Sequence, residues 1–211
     1  MGQSRVIASL LGVGLVVMLL FGVDLWRNRN EEKAQFDFSG AVRPVQYAES
    51  PSKGSPNPKA VVFEYADFAC SHCAEFQAVI SRILAKYPND VRLVWKDFPF
   101  LSQRSKDAAV AGRCAHSQGK FWEYHNWLFA NQDDLGSISF AQGAAGLEID
   151  EADFTSCLPD DTITTLVERD FAEGQALGIT ETPTLVIGDV ALVGAQPFEE
   201  VERVIVMQLQ K

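Results

Sequence analysis

The stretch Phe68-Ala69-Cys70-Ser71-His72-Cys73 follows an apolar run, Val61 to Ala66. It leads directly into a pattern with apolar positions at Cys73, Phe76, Ile80, Ile83, Leu84 and Tyr87. That order predicts a strand running into a helix whose first turn carries Cys-x-x-Cys. Residues i and i+3 share one face of a helix, so the two sulfurs can close a small disulfide at its N-terminus. There the unpaired backbone N–H groups and the positive end of the helix dipole favour a thiolate on Cys70. A protonated His72 adds a second source of positive potential. Both effects push the Cys70 pKa below the ~8.5 of a free cysteine. A stabilised thiolate is a good leaving group, which makes the disulfide easy to reduce and therefore oxidising.

Cys-x-x-Cys is also half of a zinc site, but the usual partner is another closely spaced Cys or His pair. The other two cysteines, Cys114 and Cys157, are far apart, and only Cys114 has a histidine close by, His116. No metal or other cofactor is expected beyond the redox disulfide itself. His72 alone would be an ordinary surface histidine; its place between the two cysteines gives it weight.

The chain opens with Met1 to Arg5 and an uncharged run from Val6 to Val23. About 18 residues make roughly 27 Å of helix, enough to cross a hydrocarbon core. Leu20 to Trp26 offers no clean Ala-x-Ala cleavage site, and Trp26 stands where an interfacial anchor would. An uncleaved single-pass signal-anchor over residues 1–27 is favoured over a cleaved signal peptide. Arg5 on one side faces Arg27 and Arg29 on the other, so charge does not set the orientation. An oxidising disulfide belongs on the non-cytoplasmic side, which places the catalytic domain on the periplasmic face of the cytoplasmic membrane.

Residues 28–58 read as a linker, mixing Arg29, Glu31, Glu32 and Lys33 with Pro44, Pro51, Pro56 and Pro58. As a flexible coil it would reach on the order of 30 Å. The exception is Ala41 to Tyr47, which has the pattern of an edge strand. From Lys59 onward about 150 residues remain, enough for one domain with a substantial core. The balance of 18 basic against 28 acidic residues gives a formal charge of −10, which argues against nucleic acid as a partner.

Within residues 59–211 the pattern gives a strand at Ala60–Ala66, a helix from Cys70 to Tyr87 stopped by Pro88, and a strand at Val91–Lys96. A helix-rich block then spans about 102–177. Two strands follow, Pro183–Ile187 and Val190–Val193, joined at Gly188-Asp189, a dipeptide suited to a tight hairpin. A last helix begins near Pro197, a good first-turn residue, and runs to about Leu209. This is the element order of an α/β thioredoxin fold with an inserted helical domain, preceded by the N-terminal transmembrane helix.

Phe63 to Cys73 resembles the active-site segment of the DsbA-like thiol:disulfide oxidoreductases. Gln118-Gly119-Lys120-Phe121-Trp122-Glu123-Tyr124-His125 is similar to their helical insert, and Gly178 to Thr184 to their cis-proline loop. Val193-Gly194-Ala195-Gln196-Pro197 also fits, so the resemblance covers about Lys59 to Gln208. One departure is Ser71-His72 between the cysteines, where Pro-His is the familiar form. His72 keeps its place, while the changed dipeptide alters how the thiolate is tuned.

The resemblance implies roles for further residues. Thr182-Pro183 matches the cis-proline loop that lies against the redox disulfide. With no N–H on Pro183, the backbone of Thr182 can pair with an extended substrate as an added strand. A proline merely opening an edge strand would instead be trans. Glu64 stands at the place of the family's buried acid, beneath the cysteines. There its pKa should be raised and it can shuttle a proton to or from Cys73; the alternative is an outward strand charge. The redox role of Cys70 and Cys73 leaves Cys114 and Cys157 for each other. A loop of about 44 residues stabilises by roughly 4 kcal/mol in the chain-entropy model, against roughly 2 for the active-site loop. Two buried apolar thiols are the alternative. Phe121, Trp122, Tyr124, Trp127, Leu128 and Phe129 fall at helical spacing as insert core, some of them candidates to line a groove for unfolded substrates.

The implied partners are unfolded or reduced proteins and a membrane redox partner that restores the disulfide. The same site run in reverse is a reductase or isomerase. A membrane-tethered peptide-binding or chaperone module with structural cysteines is the reading from another class, and it requires an unreactive Cys70.

Overall fold

The computed structural model of the chain describes residues 35–37 and 42–211. The chain divides into two units, Met1–Phe36 and Asp37–Lys211. Of the first, only the residues that open the short strand β1 (Gln35–Asp37) are described. The expected membrane anchor at Val6–Val23 lies outside the described residues. Among those described, no helix is long and apolar enough to cross a membrane.

In the second unit, five strands pair in the order β6-β5-β3-β4-β2. They are β2 (Ser52–Gly54), β3 (Ala60–Ala66), β4 (Val91–Asp97), β5 (Thr184–Ile187) and β6 (Val190–Val193). The central strand β3 runs parallel to β4 in the register Glu64↔Trp95 and antiparallel to β5 in the register Glu64↔Leu185. A parallel neighbour needs a crossover, and helix α1 (Ser71–Lys86) supplies it. Its buried positions Cys73, Phe76, Ile80 and Ile83 repeat every three or four residues, the spacing of one helix face. That face packs on Val62, Leu93 and Leu185 from the sheet, together with Val201, Val204 and Ile205 of helix α7 (Phe198–Leu209).

Between β4 and β5 the chain builds the insert: α2 (Gln103–Ser117), α3 (Phe121–Ala130), a 3₁₀ turn (Gln132–Asp134), α4 (Phe140–Ala145), α5 (Glu151–Cys157) and α6 (Asp161–Ala176). Side-chain caps start four of its helices. Ser102 accepts from Ser105 N–H, Ser139 from Gln142, Asp150 from Asp153 and Asp160 from Thr162. Each satisfies a backbone donor that the first helical turn leaves without a partner. Phe68, Trp95, Phe121, Tyr124, Leu128 and Phe154 are buried in the insert's core. Trp122, Trp127 and Phe129 pack against it partly exposed. Cys114 and Cys157 form a disulfide with Cα atoms 5.8 Å apart, tying α2 to α5. Joined to each other, they cannot complete a zinc site with Cys70 and Cys73.

Two stretches depart from the sequence reading. Residues 42–47, expected as an edge strand, form none. The edge strand is instead β2, inside the expected linker, pairing antiparallel with β4 as Ser52↔Val94, Lys53↔Leu93 and Gly54↔Arg92. Backbone hydrogen bonds carry this pairing, and the Pro51 carbonyl accepts from Trp95 N–H at 2.9 Å, so no apolar periodicity announces it. Gly54 is essential to the approach. Its φ is +106°, and a Cβ there would stand 2.5 Å from the Val91 carbonyl oxygen, closer than any side chain tolerates.

A charged cluster is also buried beneath the insert. Lys96 of β4 contacts Asp170 at 3.1 Å and Glu173 at 2.8 Å, while Arg113 of α2 holds Asp97 at 2.5 Å and also Asp170. The side chains of Lys96, Asp97, Arg113 and Asp170 are wholly removed from solvent. Such charges survive burial only when paired and hydrogen-bonded, and here the pairing locks α2 and α6 to the sheet.

Candidate active site

Cys70 is the N-cap residue of α1 and Cys73 lies in its first turn. A bend at Asp67 creates this position: Cys70 N–H donates to the Asp67 carbonyl at 3.0 Å, and the Cys70 carbonyl accepts from Cys73 and Ala74. Both cysteines are free thiols. Cys70 keeps 8% of its surface exposed and Cys73 none, so an incoming sulfur can reach only the first.

The two thiols are driven in opposite directions. Cys70 is lowered from the ordinary cysteine range to about 6. The Cys73 S–H donating to it is the largest cause, and burial opposes it. The backbone N–H groups of Cys73 and His72 assist. Burial pushes Cys73 up, and its donation to Cys70 adds to the rise. The His72 side chain lies 71% exposed, 3.6 Å from the Glu75 carboxylate, and the residue contributes through its backbone N–H.

The peptide bond Thr182–Pro183 is cis, and the Cys70 sulfur lies 3.4 Å from the Thr182 carbonyl oxygen. The Pro183 carbonyl accepts from Gly194 N–H, which seats the loop against β6.

Glu64 is fully buried in β3, which settles its orientation inward. Gln77, one turn beyond Cys73, donates from one amide to Glu64 Oε1 at 2.8 Å and to the Cys73 carbonyl at 3.3 Å. Glu64 Oε2 has no hydrogen-bond partner among the described residues. Burial raises the Glu64 pKa to about 7, against the lowering effects of Gln77 and of the Lys53 charge. Neither Lys53 nor Gln77 was picked out from sequence. Lys53 reaches the site from β2, with its ammonium 4.0 Å over the Trp122 ring. Burial pulls its pKa down, and Glu64 pulls it back up.

Two further residues hold the redox turn, and sequence reasoning missed both. The Asp67 carboxylate accepts from Ala69 N–H at 2.8 Å and from Phe100 and Leu101 N–H at 3.1 Å each. Phe100 and Leu101 thereby stand beside the turn, 43% and 49% exposed. From the insert, Gln132 donates to the carbonyls of Phe68 and Cys70. His125, the last residue of the insert motif, is buried and ringed by Phe68, Trp95 and Phe129. Burial drops its pKa to about 3, so it is neutral packing.

A family model described as Thioredoxin matches residues 47–206. Among curated proteins, the Na(+)/H(+) antiporter NhaA 1 of Mycolicibacterium gilvum is 31% identical over 150 residues, 69% of this chain and 24% of that protein. The chain thus spans about a quarter of the length of the curated relatives it matches. Among solved structures, BdbD from Bacillus subtilis superposes with a TM-score of 0.70 at 22% identity, covering 81% of this chain and 98% of that one. The thiol-disulfide exchange protein alpha-DsbA2 from Wolbachia pipientis gives 0.68 at 22% identity, covering 76% and 87%.

Proposed function

The chain belongs to the thioredoxin family, and on that premise we propose that it is a DsbA-like thiol:disulfide oxidoreductase that oxidises reduced proteins through Cys70 and Cys73. The observation that carries this reading is the asymmetry of the two thiols: Cys70 keeps a small exposed surface and is held toward thiolate, while Cys73 beneath it is wholly covered and pushed up. A binding module with structural cysteines needs no such asymmetry.

In the oxidised enzyme, a substrate thiolate attacks Cys70 Sγ of the Cys70–Cys73 disulfide. The S–S bond breaks, and its electron pair goes to Cys73, which takes a proton. Glu64, held near neutrality by burial, is placed by Gln77 to supply that proton. A second substrate thiolate then attacks the substrate sulfur of the mixed disulfide, and Cys70 leaves as a thiolate. The substrate has lost two electrons and the enzyme has gained them. Cys70 is a good leaving group for the reason that it is a stable anion. The Thr182 backbone, beside the sulfur, aligns the extended substrate.

A membrane redox partner accepts the two electrons and restores the disulfide. The Val6–Val23 segment anchors the chain with the catalytic domain outside the cytoplasm, where disulfides persist. Oxidation rather than reduction or isomerisation is supported by the low Cys70 pKa.

Incubating the oxidised protein with a reduced two-thiol client peptide tests the reading. Transfer of the disulfide is expected from the native chain, and none from Cys70→Ser. Undiminished transfer by Cys70→Ser would sink it.

A further inference from the structure

Gln132 opens the 3₁₀ turn after α3, 62 positions from Cys70 in the chain. Its side-chain amide donates to the Phe68 carbonyl oxygen at 2.6 Å and to the Cys70 carbonyl oxygen at 2.9 Å. The Cys70 carbonyl already receives the N–H groups of Cys73 at 3.0 Å and Ala74 at 3.2 Å, so it serves helix initiation without Gln132. The extra donor comes from the insert, and it goes to the backbone on either side of the residue before the reactive one. None of the steps above uses it.

A carbonyl oxygen carries partial negative charge, and one that is covalently part of Cys70 sits close to its sulfur. Donors aimed at that oxygen withdraw negative potential from the thiolate, and do so more strongly where water is scarce. The disulfide form carries no charge at the sulfur and gains less. The same amide also fixes the turn's backbone, and with it the direction of the sulfur toward Thr182.

We propose that Gln132 is a positioning residue for disulfide exchange, through which the helical insert holds the redox turn and favours its reduced thiolate form. This rests on the reading of Cys70 as the exchanging sulfur. By reciprocity, the oxidation state of Cys70 changes how firmly the insert's 3₁₀ turn is held.

The test compares the native full chain with Gln132→Leu and Gln132→Glu, the latter nearly isosteric. Three quantities are measured: the thiolate absorbance titration of Cys70, the redox equilibrium with glutathione, and thermal unfolding of both redox forms. In Gln132→Leu the Cys70 pKa should rise by about 0.5 unit or more, a roughly threefold change in its ionisation equilibrium. Gln132→Glu should move it further, since a carboxylate replaces the donor. The disulfide should become less oxidising in the same order, and the reduced form should lose more stability than the oxidised one. If Gln132→Leu does not fold, the near-isosteric variant decides alone. Equal loss of stability in both redox forms, with pKa and glutathione equilibrium unmoved, identifies a structural tie only and overturns the inference. Should the native chain itself fail to exchange with glutathione, the exchange reading falls and takes this role with it. Native exchange with unmoved variants sinks the role of Gln132 alone.

Discussion

The Cys70 sulfur and the Thr182 carbonyl oxygen meet at 3.4 Å across 112 positions of sequence. The helix after β3 and the loop before β5 converge there, so a substrate strand laid along Thr182 arrives at the only one of the two sulfurs with exposed surface. What lowers Cys70 toward the thiolate there is the Cys73 S–H beneath it, while burial keeps Cys73 itself protonated.

Protonation of this pair sets how its potential varies with pH. With Cys70 ionising near 6 and Cys73 staying protonated, reduction takes up two protons below that pH and one above. The potential should therefore fall by about 59 mV per pH unit below pH 6 and about 30 mV above it. The depressed pKa also stabilises the reduced fold as pH rises from about 6 toward the ordinary cysteine value, and that stability is lost as pH falls through about 6. Equilibration with glutathione across pH 6 checks this; one unbroken slope would contradict it.

Glu64 should behave as a destabilising but useful group. Its folded-state pKa of about 7 stands above the ordinary 4.5, so the folded state binds the extra proton between those values. The group has no effect on stability below about pH 4.5, and it destabilises increasingly up to about 7. Glu64→Leu is expected to stabilise the reduced protein by up to about 3 kcal/mol at pH 8 and hardly at all near pH 4. Exchange should meanwhile slow on the order of 10²-fold. Urea unfolding at both pH values and stopped-flow exchange rates test the two halves separately.

The long disulfide should matter for stability and not for chemistry. Replacing both Cys114 and Cys157 by serine removes a cross-link spanning 43 positions, expected to lower stability by roughly 4 kcal/mol. The Cys70 titration midpoint should stay where it is. A shifted midpoint would show that the insert's staple reaches the redox turn.

Arg113→Met leaves the fully buried Asp97 without an ion-pair partner among the described residues and takes one of its cations from the fully buried Asp170, which keeps Lys96. A loss of about 3–5 kcal/mol is expected near pH 7, partly recovered at low pH where the carboxylates protonate. Denaturant midpoints measured near pH 7 and pH 4 decide it.

Much of this was written in local patterns. The run before Cys70 and the three-four spacing after it located β3 and α1, and Gly188-Asp189 marked the turn between β5 and β6. The caps Ser102, Ser139, Asp150 and Asp160, by contrast, divide a block that the sequence reading took only as helix-rich. What stayed hidden depends on long-range geometry. Lys53 and Gln132 look like ordinary polar residues until the fold brings them to Glu64 and Cys70. Lys96 and Arg113 look like solvated charges until α6 delivers Asp170. His72 was singled out for its place between the cysteines, and there its side chain lies 71% exposed beside Glu75 while its backbone N–H acts on Cys70.

The short edge strand β2 bears on how the chain can be handled. A truncated form starting at Lys59 would bare the unpaired backbone of β4, a template for sticking to other chains. It would also strip away Lys53, a cation that holds the Glu64 pKa down. Such a fragment would keep both cysteines and still titrate differently, so the catalytic unit has to be cut ahead of Pro51.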